Sequence, residues 1–240
     1  MRIETPHKNN NERYVDRTQK SFKDIKGFRK KAQYIWEYYH ILFFTVIICI
    51  GLIGGVGISI YQNMKYETIF YCTITNNTLL QETQDALTQD FSAYIGLNEE
   101  KETITIDATF VIDYADNSPY QENTYYSVEK MTALIASRTV DCFLANDEVI
   151  KAYATTAGFY DLNQLLPQDM LDALSDRLVM YTAYENEESP GVEGAYAVDI
   201  SGTEFADKYG IYLDSAYVSV MINSEHIDSA LAFLRFIFGL

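Results

Sequence analysis

Six polar positions could hold a ligand: Asn76, Asn77, Tyr114, Asn146, Asp147 and Asp199. Each follows an apolar, strand-like run, and in open α/β sheets ligands collect beyond the C-terminal ends of the strands. Side-chain amides both donate and accept hydrogen bonds, and a tyrosine ring can stack on a ligand. Such a cluster suits a small polar ligand. If Asp147 and Asp199 share a cleft, their carboxylates favour a cation or a hydroxyl-rich molecule. The same residues also fit plainer roles, with Asn76 and Asn146 capping helices and Tyr114 covering a loop.

Catalytic chemistry has little to build on. Of three histidines, only His226 lies beyond residue 60. It stands beside Glu225 at the start of the final helical run and reads as solvent-exposed rather than as a base. No G-x-S-x-G turn anchors Ser–His–Asp chemistry, and no Gly-rich phosphate loop follows a strand. The carboxylate pairs Glu99–Glu100 and Glu187–Glu188 sit in polar loops, as solvated charge runs do. No Cys/His spacing resembles a metal site, and no cofactor is expected. The expectation is a non-enzymatic binding domain.

The elements that would position the six residues alternate along the chain. Strands are expected over 68–74, 102–112, 140–144, 179–184, 195–200 and 216–222. Ile104, Ile106, Ala108, Phe110 and Ile112 fall on one face by alternation. Helices are expected where apolar residues recur at three-to-four spacing: from Leu79 to Gly96, from Val128 to Ile135, from Asp147 to Gly158, after Pro167, from Thr203 to Gly210, and from Ile227 onward. The stretch from Tyr114 to Tyr126, carrying Pro119, reads as a loop. Strands alternating with helices imply crossover connections and one mainly parallel α/β sandwich domain.

Upstream lies a different kind of segment. Residues 41–60, ILFFTVIICIGLIGGVGISI, carry no charge. At about 1.5 Å per residue they match the roughly 30 Å hydrocarbon core of a bilayer. Trp36, Tyr38, Tyr39 and Tyr61 flank them, as interfacial rings do. Residues 1–40 hold ten Lys or Arg and five Asp or Glu, about +5, so the rest of the −16 chain carries −21. Arg29, Lys30 and Lys31 beside the apolar run point to a cytoplasmic N-terminus. The expected organisation is a basic, largely disordered cytoplasmic tail (1–40), an uncleaved transmembrane signal anchor (41–61) and an extracytoplasmic domain (62–240). The expected location is the cell membrane, crossed once. Gly51 and Gly55 are spaced as in weak helix dimers, which makes a homodimer through them an expectation. The acidity argues against nucleic acid as a partner. Cys72 and Cys142 fall in strand-like runs; a disulfide and two buried thiols are equally consistent with the residues.

Four segments, in order, resemble the extracellular solute-binding proteins of bacterial ABC importers. Val140-Asp141-Cys142-Phe143-Leu144 is similar to their Asp-plus-hydrophobic strand. Ala157-Gly158-Phe159-Tyr160-Asp161-Leu162 through Leu166 resembles their Gly-hydrophobic-x-Asp-Leu turn. Gly194 to Ile200 resembles a G-x-x-Y-A-V-P strand, and Ile222-Asn223-Ser224 with Ala230 to Leu234 resembles an N-S…F-L helix start. The resemblance implies a periplasmic-binding-protein-like lobe that binds a small solute. The chain departs from the pattern by having room for about one lobe, by Asp199 in place of the proline, and by lacking a small residue ahead of Cys49. The alternative expectation is a structural or accessory subunit packed on a membrane transporter or envelope protein, without a small ligand.

Overall fold

The computed structural model describes residues 27–63, 66–115, 117–184, 186 and 189–240. Of the expected basic, largely disordered tail over 1–40, residues 1–26 lie outside the described residues, as do the Glu187–Glu188 pair and the side chains of Lys30 and Lys31, whereas 28–40 are helical. The chain divides into two compact units, 1–63 and 64–240.

The first unit contains one helix, α1 (Phe28–Asn63). Its described large apolar side chains are all exposed, from 47% at Val46 to 88% at Phe28. Among the described residues, no helix is long and apolar enough to cross a membrane.

The second unit is an α/β fold. Its elements in order are β1 (Glu67–Thr75), α2 (Gln81–Ile95), β2 (Glu102–Phe110), α3 (Gln121–Ala136), β3 (Cys142–Ala145), α4 (Asp147–Ala154), α5 (Leu162–Leu165), α6 (Gln168–Leu174), β4 (Leu178–Ala183), β5 (Val192–Asp199), α7 (Glu204–Tyr209), β6 (Tyr217–Val220) and α8 (Ile227–Phe238). The six strands form one sheet in the order β2-β1-β3-β6-β5-β4. β1 pairs in parallel with β2 and β3, whereas β3–β6, β6–β5 and β5–β4 are antiparallel. The sheet is therefore mixed rather than mainly parallel. The loop at 184–191 is too short for the dozen or more residues of a parallel crossover, so β4 and β5 fold as a hairpin.

One buried face of the sheet packs on α2, α5, α6, α7 and α8. Phe70, Phe91 and Phe233 meet there with ring centroids 4.9–5.0 Å apart. The other face, around Met131, Phe143, Ile150 and Phe159, is covered by α3 and α4. The β1–β2 register shifts between Thr73 and Thr75, opposite Asp107 and Phe110. This irregularity sends Phe110 and Ile112 to the α3/α4 side, while Ile104, Ile106 and Ala108 stay on the opposite face. Simple alternation put all five together; one extra residue inverts every side chain after it.

Several helix ends follow their local chemistry. Thr203 Oγ1 accepts from the Ala206 N–H (3.2 Å), and Gly210, at φ +66°, closes α7. Gly96 closes α2 in the same left-handed conformation, which glycine adopts without a Cβ penalty. Helix α3 begins at Gln121, within the stretch expected to be loop. Pro119 lies just ahead of it, where a proline suits a helix start.

Candidate functional site

β2 leaves to one side of β1 and β3 to the other, so the C-terminal ends of β1 and β3 mark the topological switch point where α/β folds open a crevice. Asn76 and Asn146 stand there. Asn76, at φ +58°, adopts the left-handed conformation that asparagine tolerates. Its Nδ2 donates to the Ile112 carbonyl (2.7 Å) and to Asn146 Oδ1 (3.0 Å), and its Oδ1 accepts from the Ile112 N–H (2.8 Å). Asn146 is the N-cap residue of α4, but its side chain makes no capping bond. The two amides bridge the strand ends.

Asn77 is buried and turned elsewhere. Its Nδ2 donates to the Gly210 carbonyl (3.1 Å) and its Oδ1 accepts from the Tyr212 N–H (2.9 Å), tying β1 to the loop after α7.

Asp147 and Asp199 both act on Tyr217. Tyr217 lies in β6, paired with Ala145 of β3 on one side and Asp199 of β5 on the other. Burial first, then the charges of Asp147 and Asp199, push its phenol up from the ordinary value. Asp147 is exposed in the first turn of α4, where a carboxylate suits the helix dipole. Its Oδ1 accepts from the Tyr181 hydroxyl (2.7 Å), and its N–H donates to Ser215 Oγ (3.1 Å). Burial and this bond push the Tyr181 phenol up as well. Asp199 Oδ1 accepts from the Ser201 N–H (2.8 Å), and its carbonyl accepts from Arg177 Nη1 (3.1 Å).

Tyr114 is 43% exposed. Burial of its inner part and the neighbouring Glu148 charge raise its phenol, and burial followed by Tyr114 raises that of Tyr153. The structure thus gathers Asn146, Asp147, Asp199 and Tyr114 along one rim, together with Glu148, Tyr153, Tyr181 and Tyr217. Asn76 is bonded to Asn146, and Asn77 is turned to the loop after α7. These four phenols stay protonated at neutral pH, so they donate hydrogen bonds rather than act as bases. Three hollows of 460, 430 and 410 Å³ lie elsewhere, none lined by the six predicted residues.

Sequence reasoning missed a second polar cluster at the opposite end of the sheet. Asp141 is fully buried at the start of β3. Its carboxylate accepts from the Tyr71 N–H (2.8 Å) and the Ser224 hydroxyl (2.6 Å). His226 Nδ1 lies 3.3 Å from both of its oxygens. His226 is therefore packed on a buried carboxylate rather than solvated, with its side chain 30% exposed. The available signal was a single acid inside the apolar run Val140–Leu144. Ser224 donates to Asp141 and not to His226, so the three do not form a nucleophile–base relay.

On the α3 side, Asp107 accepts from Lys130 Nζ (2.8 Å) and the Tyr71 hydroxyl (3.0 Å). Burial pushes the Asp107 carboxyl up, but the bonds from Lys130 and Thr109 outweigh it and hold it below the usual range. Among the described residues, no group of three or more His, Cys, Asp or Glu is placed to hold a metal ion.

No family model matches this chain, and neither a curated protein nor a solved structure matches it significantly.

Proposed function

We propose that this chain is a membrane-tethered, extracytoplasmic binding domain. Residues 41–60 supply its single span, the N-terminal side is cytoplasmic, and the lobe over 62–240 resembles that of a solute-binding protein. Its ligand is small, polar and positively charged, and it docks over Tyr217 between Asp147 and Asp199, with Tyr114 and Tyr181 at the edges. The domain binds without transforming its ligand.

The carrying observation is the described surface of α1 over 44–59, where every large apolar side chain is exposed. A helix apolar on every face requires an apolar surrounding, and the uncharged sequence of residues 41–60 is long enough to reach across a bilayer. The ligand chemistry is supported by two carboxylates acting on one buried-edge tyrosine. Carboxylates and aromatic faces together attract organic cations.

A second reading has its own support. The Asn76–Asn146 bridge occupies the switch-point crevice, which suits an accessory subunit that packs on a transporter or envelope protein and takes no small ligand.

The test has two arms. External protease on intact cells should remove the 62–240 domain, and alkaline carbonate should leave residues 28–63 in the membrane pellet. Native mass spectrometry of the full chain, released from detergent, should show a small-molecule adduct that the Asp147→Asn/Asp199→Asn variant lacks. An apo mass in both proteins moves the weight to the accessory-subunit reading. Release by carbonate overturns the tether.

A further inference from the structure

Cys72 of β1 and Cys142 of β3 are direct partners in the parallel ladder. Both are fully buried and belong to the same core cluster, on the face covered by α2 and α8. Both are free thiols. Neighbouring strands run about 4.8 Å apart, inside the roughly 4.4–6.8 Å between α-carbons that disulfides span. Two cysteines that are in register, on one face and in adjacent strands meet the α-carbon requirement for a disulfide.

We infer that Cys72 and Cys142 form a cross-strand disulfide that fastens β3 to β1 when the domain folds in an oxidising compartment. This rests on the outward placement proposed above, because such compartments are where disulfides persist. The bond forms during folding. In a domain that has closed with both thiols still reduced, burial pushes them up, and Asp141 next to them adds to the effect. Few thiolates then exist to attack, and neither sulfur is open to a reagent. Before the strands close, the Cys72 thiolate attacks an external disulfide, either oxidised glutathione or the disulfide of an oxidoreductase. That releases one external thiol and leaves a mixed disulfide. The Cys142 thiolate then attacks the Cys72 sulfur and releases the second external thiol. The protein loses two electrons and two protons, and the external disulfide gains them. The cross-link joins strands 70 positions apart in sequence, so it removes much of the freedom of the unfolded chain.

The test uses the full chain carrying Cys49→Ala, which removes the one other cysteine. Membranes are quenched in acid, denatured and treated with a maleimide-linked polymer, with and without prior reduction. Both thiols should be unreactive before reduction and both reactive after it. External protease on the same cells reports placement independently. If the domain is outside and both thiols label without reduction, the disulfide is refuted. If protease finds the domain inside, the placement reading fails. The disulfide is then decided in vitro by refolding the reduced chain in a glutathione redox buffer. Loss of both free thiols with native circular dichroism supports it, and a native fold with both thiols free overturns it.

Discussion

The side-chain amide of Asn76 donates to that of Asn146 across 3.0 Å, joining the ends of β1 and β3 where the sheet changes direction. Asn76 also holds Ile112 by both its N–H and its carbonyl, so one side chain completes the edges of three strands. Asn76→Ala strands those groups and puts at φ +58° an alanine, which lacks the side-chain bonds that let asparagine sit in the left-handed region. The loss should be about 2–4 kcal/mol, from unsatisfied backbone and strain together. Asn76→Gly should recover the strain part alone. Denaturant unfolding of the two variants side by side checks both numbers.

The cluster at the other end of the sheet makes a second prediction. Asp141 is a buried acid that accepts from the Tyr71 N–H and the Ser224 hydroxyl, with His226 Nδ1 3.3 Å away. Ser224→Ala removes one bond to a charged group and should cost about 1.5–3 kcal/mol. Asp141→Ala should cost more, because it leaves the Tyr71 N–H, the Ser224 hydroxyl and His226 without their common partner. A Ser224→Ala variant as stable as the parent would mean that the carboxylate is held by Tyr71 and His226 alone.

Acid should weaken the domain through Asp107. Its folded carboxyl lies below the ordinary value of 3.8. A depressed folded pKa contributes stability that is present above the unfolded value and lost as pH falls through the folded one. Unfolding midpoints should therefore decline below about pH 4. Lys130→Met removes the 2.8 Å partner and leaves only the Thr109 bonds to oppose burial. The acid-induced loss should then be smaller than in the parent, because a folded carboxyl that is no longer held down gives up less stability as pH falls. A pH series of denaturation midpoints for both proteins measures this, and superimposable curves would refute the assignment.

Phe233 sits at the centre of the ring cluster with Phe70, Phe91 and Phe205, and it is fully buried. Phe233→Ala should cost about 3–5 kcal/mol. Phe233→Leu should cost less, since most of the volume stays filled. Thermal melts of the two variants give the ranking.

Orientation is testable from charge alone. Changing Arg29, Lys30 and Lys31 to glutamate removes the positive flank of residues 41–60. On the proposed topology, a fraction of chains should insert in reverse, with the 62–240 domain becoming resistant to external protease. Unchanged sensitivity would refute charge-set orientation.

By itself, the sequence determined most of the local elements and their kind, the start of α3 inside the expected 114–126 loop being an exception. Alternating residues such as Ile104 and Ile106 could only be a half-buried strand, and the stripe through Leu87 and Phe91 only a helix face. Thr203 and Gly210 marked the two ends of α7 because capping acts within four residues. The uncharged run at 41–60 was legible for the same reason: hydropathy belongs to the segment and not to its neighbours. Only the tertiary structure decided which strands lie side by side. The Asn76–Asn146 bond spans 70 positions and the His226–Asp141 contact spans 85, and no local preference encodes a pairing over such a distance. The irregularity that turns Phe110 away from Ala108 was hidden too, because it exists only relative to β1. The antiparallel half of the sheet, which brings Tyr217 between Asp147 and Asp199, likewise follows from how whole faces bury against one another. That burial is a property of the packed chain, and the free energy that selects it comes from contacts that form only when distant segments meet.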